Sequence, residues 1–227
     1  MIRRWLLLLA ALLPVLLIFG CAAPFFPRPT MVAVPAGRSA AELAASDWTR
    51  LPGRWLLTQS AEFTFHGRKL PMQGLLQLDS GHQAARLIAV NELGIKLFDI
   101  EVFARGETVH YLLPDLARYP RLGEAVAGSV RRMFLAPRPR ADDRLSRGKD
   151  GYELARVVAG RSIRFRFGGS QAQLEQIRVT APGEDWQVGY YDYRSAGEVE
   201  YAEKILLEDR VAGYRLRLRV LAMRRSG

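Results

Sequence analysis

Apolar and polar residues alternate along much of the chain after residue 54. Trp55, Leu57, Ala61, Phe63 and Phe65 share one parity, and a turn at His66-Gly67-Arg68 ends the series. A period of two, interrupted by turn residues at short intervals, is typical of an antiparallel meander. The pattern predicts strands over 55–65, 70–78, 83–90, 95–104 and 108–113.

Two segments depart from this alternation and favour helix. Ser39-Ala40-Ala41-Glu42 has the spacing of a capping box and predicts a short lead helix over 39–47. In the second, over 120–135, apolar residues lie four, four and three positions apart, on one helical face: Leu122, Val126, Val130 and Met133. The charged, proline-containing segment 136–150 then predicts a loop, so that 114–150 is an insertion between strands.

Alternation resumes in the second half of the chain. Ile163, Phe165 and Phe167 are separated by arginines, and Arg215, Arg217 and Arg219 separate the apolar residues of the last strand. A slip of one residue would bury three arginines, so the register of that strand is firmly set. We predict a mainly β (α+β) domain over 39–227, with about ten or eleven strands.

The first 38 residues have a different composition. Arg3 and Arg4 precede an apolar run that ends at Gly20-Cys21, and a proline-containing stretch follows. A basic start, a short apolar core and a small residue indicate a signal peptide over 1–20; an uncleaved membrane anchor is the alternative. Residues 21–38 are predicted to be a tether.

Composition and motif spacing favour a binding role over catalysis. The chain has a formal net charge of +10, one cysteine and three histidines, His66, His82 and His110. None of the histidines has a second ligand at metal-binding spacing, and no nucleophile motif occurs. With a single cysteine, no intramolecular disulfide can form. We therefore expect no enzyme, no metal and no cofactor, and, for an exported protein, no nucleic-acid partner.

The residues before the cysteine, Leu17-Ile18-Phe19-Gly20-Cys21, resemble the lipobox of bacterial lipoproteins. The resemblance implies that Cys21 carries a diacylglycerol thioether and, after cleavage, an acyl group such as palmitate on its amino group. It also implies outer-membrane localisation on the periplasmic face, because the position after the cysteine is Ala22 rather than an acidic residue. Several acyl chains would make a stable anchor.

The order of parts resembles the LolA/LolB superfamily, which handles acyl chains of lipoproteins between two membranes. The stretch AARLIAVNELGIKLFDIEVF (84–103) is similar to uncharacterised LolB-like lipoproteins, and KILLEDRVAGYRLRLRV (204–220) to the closing strands of the superfamily. The resemblance implies a curved half-barrel with a covering helix. It also implies an exposed apolar loop residue that the outer-membrane receptor inserts into the membrane, which the sequence alone does not single out.

Two functions follow as hypotheses. In the first, an acyl chain of a lipid or lipoprotein binds in the half-barrel during lipid transport or envelope assembly, with residues of the 120–135 helix named above as a lid. Its candidate lining is Trp55, Leu57, Phe63, Phe65, Leu76, Leu78, Phe98, Ile100, Phe165 and Leu218. In the second, the core is filled, and a structural or assembly lipoprotein acts through a protein partner at its arginine-rich strands.

Overall fold

The fold is one open antiparallel sheet of twelve strands with few helices. The computed structural model describes residues 34–226. The strands are β1 (Arg54–Phe65), β2 (Arg68–Asp79), β3 (Ala84–Val90), β4 (Lys96–Val102), β5 (Glu107–Leu112), β6 (Arg144–Gly148), β7 (Gly151–Val158), β8 (Arg161–Gly168), β9 (Gln173–Ala181), β10 (Glu184–Ala196), β11 (Val199–Asp209) and β12 (Tyr214–Arg225).

Strands that are consecutive in the chain pair with each other, except β5 and β6, which form the two edges of the sheet; in addition, β1 pairs with β12 along a seam. The order across the sheet is β5-β4-β3-β2-β1-β12-β11-β10-β9-β8-β7-β6. The first and last strands pair from Trp55 and Arg225 to Phe65 and Tyr214. The sheet is therefore two meanders, β1–β5 and β6–β12, joined along β1–β12.

The helices lie before the sheet and between the two meanders. Helix α1 (Ala40–Ala45) has the predicted capping box, in which the Glu42 backbone N–H donates to the Ser39 hydroxyl at 3.2 Å and the Ser39 N–H donates to the Glu42 carboxylate at 2.7 Å. Between β5 and β6 lie α2 (Pro114–Ala117), α3 (Leu122–Val130) and a π-helical turn (Arg131–Leu135).

The predicted strand count of ten or eleven was too low. Residues 136–150 were expected to be a loop, but they contain β6. All five of its residues are exposed, and its sequence, RLSRG, shows no alternation of apolar and polar residues. β6 is a strand because its backbone pairs with β7. Such pairing is a tertiary interaction, which the pattern of apolar and polar residues in β6 does not show.

The two faces of the sheet differ in character. One face, here called the core face, carries the side chains of each strand that point into the core. The helical segment 122–135 covers part of this face. The opposite face, here called the outer face, is covered with ion pairs such as Glu203 with Arg219 and Glu208 with Arg215. The alternation in the sequence reflects this division.

Candidate functional site

Eight of the ten predicted lining residues lie in the hydrophobic core. The two exceptions are on β1, where Phe63 is half-buried and Phe65 is 40% exposed. The buried eight share the core face: Trp55, Leu57, Leu76, Leu78, Phe98, Ile100, Phe165 and Leu218. They form a packed interior, whereas Phe63 and Phe65 lie where that interior meets solvent.

The exposed end of this face is a continuous apolar surface. Six partly covered side chains, here called the apolar rim, come from three adjacent strands: Phe63, Phe65, Leu70, Met72, Tyr214 and Leu216. The rim arises because β1 and β2 continue their inward alternation beyond the part of the sheet that other elements cover. The sequence pattern identified the first two of these residues as lining; the other four required knowledge of which strands are adjacent.

Strand register joins the rim to the core. Phe63 pairs with Leu70 on one side and with Leu216 on the other. Leu216 in turn pairs with Leu207, which is fully buried. One row of side chains therefore runs from solvent at β2 to the interior at β11.

Aromatic contacts hold the rim in place. The rings of Phe63 and Phe65 stack with centroids 6.4 Å apart, and the ring of Tyr214 lies 5.4 Å from that of Phe63. The Tyr214 hydroxyl lies 3.0 Å from the Ser129 hydroxyl on α3. Burial is the largest influence on the Tyr214 phenol and raises its pKa.

The four predicted lid residues divide into two pairs. Leu122 and Val126, in the first part of α3, are partly exposed, whereas Val130 and Met133 are buried. The C-terminal part of the helical segment is thus core, and only its beginning lies at the surface.

Two adjacent arginines fasten this segment to opposite parts of the sheet. Arg131 Nε donates to the Phe103 carbonyl at 2.9 Å, at the β4–β5 turn. Arg132 pairs with the Asp209 carboxylate at 2.6 Å and lies 5.1 Å from the Trp186 ring centroid. The segment is therefore attached to both meanders.

A buried polar cluster lies where the residues after α1 meet this segment. Asp47 Oδ2, Trp48 Nε1 and Arg138 Nε are buried and have no hydrogen-bond partner among residues 34–226. Burial raises the pKa of the Asp47 carboxyl, which Thr49 and Arg138 partly oppose. Burial also raises the pKa of Tyr190, whose hydroxyl donates to the Met133 carbonyl at 2.8 Å. The sequence analysis did not identify this cluster, because its members come from three separate elements.

The residues considered for other chemistry are scattered. His82 lies 2.9 Å from Asp79 and His110 lies 3.2 Å from Glu101, both in exposed pairs. Within the described part of the chain, no group of three or more His, Cys, Asp or Glu side chains is arranged to hold a metal ion. No helix between residues 34 and 226 is both long and apolar enough to cross a bilayer. Cys21, the predicted lipidation site, lies outside the described residues.

One apolar side chain in a turn is almost fully exposed to solvent. Leu93, in the β3–β4 turn, is 83% exposed. The Asn91 side chain shapes this turn, because its oxygen accepts from the backbone N–H groups of Leu93 and Ile95 at 3.0 and 2.9 Å. The turn therefore presents a leucine to solvent on an ordered backbone.

Comparison with solved structures identifies the fold. A putative outer membrane lipoprotein-sorting protein domain from Vibrio parahaemolyticus is 12% identical, with a TM-score of 0.53 over 81% of this chain and 88% of that one. A LolA superfamily protein from Nitrosomonas europaea is also 12% identical, with a TM-score of 0.58 over 84% of this chain and 95% of that one. No family model and no curated protein matches the sequence. The chain therefore has a LolA-like fold.

Proposed function

We propose that this protein is a periplasmic lipoprotein, anchored in the outer membrane through Cys21, that binds an acyl chain of a lipid or lipoprotein in lipid transport or envelope assembly. The observation that carries the proposal is the apolar rim, which is open to solvent and continuous with the core. The LolA-like fold supports it. The role is one of binding, without catalysis and without a cofactor.

The chemistry of the rim fits an acyl chain. Its side chains offer apolar and aromatic surface with a single hydroxyl, that of Tyr214, which already contacts Ser129. Each methylene that leaves water contributes about 0.8 kcal/mol. Six covered methylenes would thus supply roughly 5 kcal/mol before the cost of ordering the chain.

The proposal includes a half-barrel that wraps around the helical segment. In a flat sheet β4 and β10 would lie roughly 29 Å apart, six spacings of about 4.8 Å. Yet two residues of the helical segment that are only two positions apart contact both regions. Arg131 contacts the β4–β5 turn, and the carbonyl of Met133 contacts Tyr190 of β10. A sheet curved toward this segment accounts for both contacts.

The covering role falls to the first part of α3. Leu122 and Val126 are partly exposed, and Ser129 in the same helix contacts the rim through Tyr214. We expect this part of the helix to shift when an acyl chain enters, while the buried turn that contains Met133 stays in place.

LolB-like receptor activity is the more specific form of the proposal. The resemblance implies an exposed apolar loop residue for membrane insertion, and Leu93 meets that description in the β3–β4 turn. A membrane anchor at Cys21 would keep the domain beside the bilayer, with the segment up to residue 38 as its tether.

Lipid binding can be tested at the rim. The protein is purified from the cell envelope and analysed for bound lipid by native mass spectrometry. Uptake of a fluorescent fatty acid is measured in parallel. We expect bound lipid in the wild type and its loss in Phe63→Asp. The control is Val157→Asp, at an exposed valine on β7, which adds the same charge away from the rim. Lipid-free wild type that also takes up no fatty acid would refute the proposal.

The alternative is a structural or assembly lipoprotein with a filled core that acts through a protein partner. It is favoured by the complete burial of most of the predicted lining, including Leu57, Ile100 and Phe165. The same experiment separates the two functions, because a filled core predicts no uptake in either the wild type or the variants.

A further inference from the structure

The outer face carries two groups of arginines with different surroundings. On β12 the three outward arginines that alternate with core residues each have a carboxylate partner on a neighbouring strand. The pairs are Arg215 with Glu208 at 2.6 Å, Arg217 with Glu62 at 3.4 Å and Arg219 with Glu203 at 2.7 Å. The positive charge of these three arginines is therefore neutralised within the sheet.

The other group forms a single row across β6–β9. Arg144 pairs with Ala155, Ala155 with Arg164, and Arg164 with Arg178. Arg178 reaches Asp185 at 3.6 Å, but neither Arg144 nor Arg164 forms an ion pair with any residue from 34 to 226. Side chains directly opposite each other lie about 4.5–5.5 Å apart, and like charges there repel. Within this row, Arg144 and Arg164 are the two arginines whose positive charge has no ion-pair partner in the described part of the chain.

The row begins at an open edge of the sheet. β6 is the last strand, and it pairs only with β7. Its residues Arg144–Gly148 are all exposed, and alternate N–H and C=O groups of such an edge have no partner in a sheet. The opposite edge strand, β5, is contacted by α3.

Protection of the edge alone does not account for the arginines. Charge on an edge strand is a common defence against unwanted pairing, and Arg144 could serve that purpose. Arg164 and Arg178 lie on β8 and β9, two and three strands inside the edge. Leu145 of β6 pairs with the buried Leu154 of β7, so it lies on the core face and extends the apolar side of the sheet.

We propose that an acidic segment of a partner protein adds to β6 as a further antiparallel strand. Its backbone would pair with the free edge, an outward carboxylate would lie opposite Arg144, and an apolar residue would lie beside Leu145. Arg164, farther inside the sheet, would add to the positive potential that attracts the segment. Main-chain pairing supplies affinity in this mode of recognition, and alternate side chains supply selectivity. The inference is independent of the acyl-chain function, since it concerns the β6 edge of the sheet rather than the rim on β1, β2 and β12.

The test uses full-length protein in detergent and two labelled synthetic peptides of about ten residues, one alternating glutamate with valine and the other lysine with valine. Fluorescence anisotropy measures binding, and hydrogen exchange measures protection of residues 144–148. We expect only the acidic peptide to bind and to slow exchange in β6. Arg144→Ala should weaken binding about fivefold. Arg215→Ala, which removes the same charge from β12, should leave binding unchanged.

Three results would overturn the proposal. The first is the absence of binding by the acidic peptide. The second is an equal loss of affinity in Arg144→Ala and Arg215→Ala, which would indicate attraction to the overall charge. The third is binding of the acidic peptide that does not slow hydrogen exchange in residues 144–148 and that phosphatidylglycerol vesicles abolish by competition. This result would identify a surface site for anions rather than an added strand.

Discussion

Replacing Phe134 by alanine tests whether the helical segment is part of the core or a mobile cover. Phe134 lies in the π-helical turn and is 1% exposed. Its ring meets the Trp48 ring edge-on, with centroids 6.0 Å apart. The substitution removes a buried ring from a segment that is bonded to both meanders, so it should destabilise the whole domain.

The expected loss is about 3–5 kcal/mol in the free energy of unfolding, the range for a buried phenylalanine changed to alanine. Phe165→Ala, at a fully buried position on β8, is the matched control within the sheet and should cost a similar amount. Leu122→Ala, at the partly exposed start of α3, should cost less than about 1 kcal/mol.

Urea unfolding followed by tryptophan fluorescence and circular dichroism measures these differences, with the midpoint and slope compared for each variant. Equal slopes with a lower midpoint would show that Phe134 belongs to the cooperative core. If Phe134→Ala costs no more than Leu122→Ala while Phe165→Ala costs the full amount, the reasoning is wrong. The segment would then be a separate, weakly attached cover.

Three further predictions concern charge, backbone space and anchoring. The pKa of Asp47 is raised in the folded state, so the folded state loses stability as the pH rises from the ordinary carboxyl range through the raised pKa. Asp47→Asn should remove that loss, as measured by urea unfolding at several pH values. An equal loss of stability with pH in the variant would contradict the prediction. Gly128→Ala, with open space in α3, should stabilise by up to about 1 kcal/mol. Gly151→Ala would place a Cβ against the backbone oxygen of Phe167 and should destabilise by at least about 1–3 kcal/mol, so thermal melts that move the same way in both glycine variants would refute the argument. Cys21→Ser should abolish incorporation of labelled palmitate and release the protein from membranes; a variant that stays membrane-integral would refute lipidation at Cys21.

The predictable parts of the fold are those in which burial and strand period agree. Tyr214 to Val220 alternate apolar and arginine residues because one parity faces the core and the other faces carboxylates on adjacent strands. β6 has no such pattern, since both of its faces are exposed. Its existence depends on the backbone of β7, so no property of its own side chains could reveal it.

The candidate site was predictable only along single strands. Phe63 and Phe65 stand out in the sequence as the outer end of an apolar series. Tyr214 and Leu216 join them only through the register between β1 and β12, which residues far apart in the chain determine. The cluster around Trp48 and Arg138 is likewise a product of packing between elements, for which periodicity gives no signal.

The seam between β1 and β12 also has a consequence for how the chain reaches its fold. Each meander can form from local hairpins, but the two join only when Tyr214–Arg225, nearly the end of the chain, pairs with β1. Closing so long a loop is the slow, entropically costly step, because the contacts that reward it come last. A chain that stops before residue 214 would leave β1 and β11 as uncovered edges, and open edges of this kind promote aggregation. The last twelve-residue strand thus decides whether the chain becomes one folded domain or two half-sheets prone to aggregate.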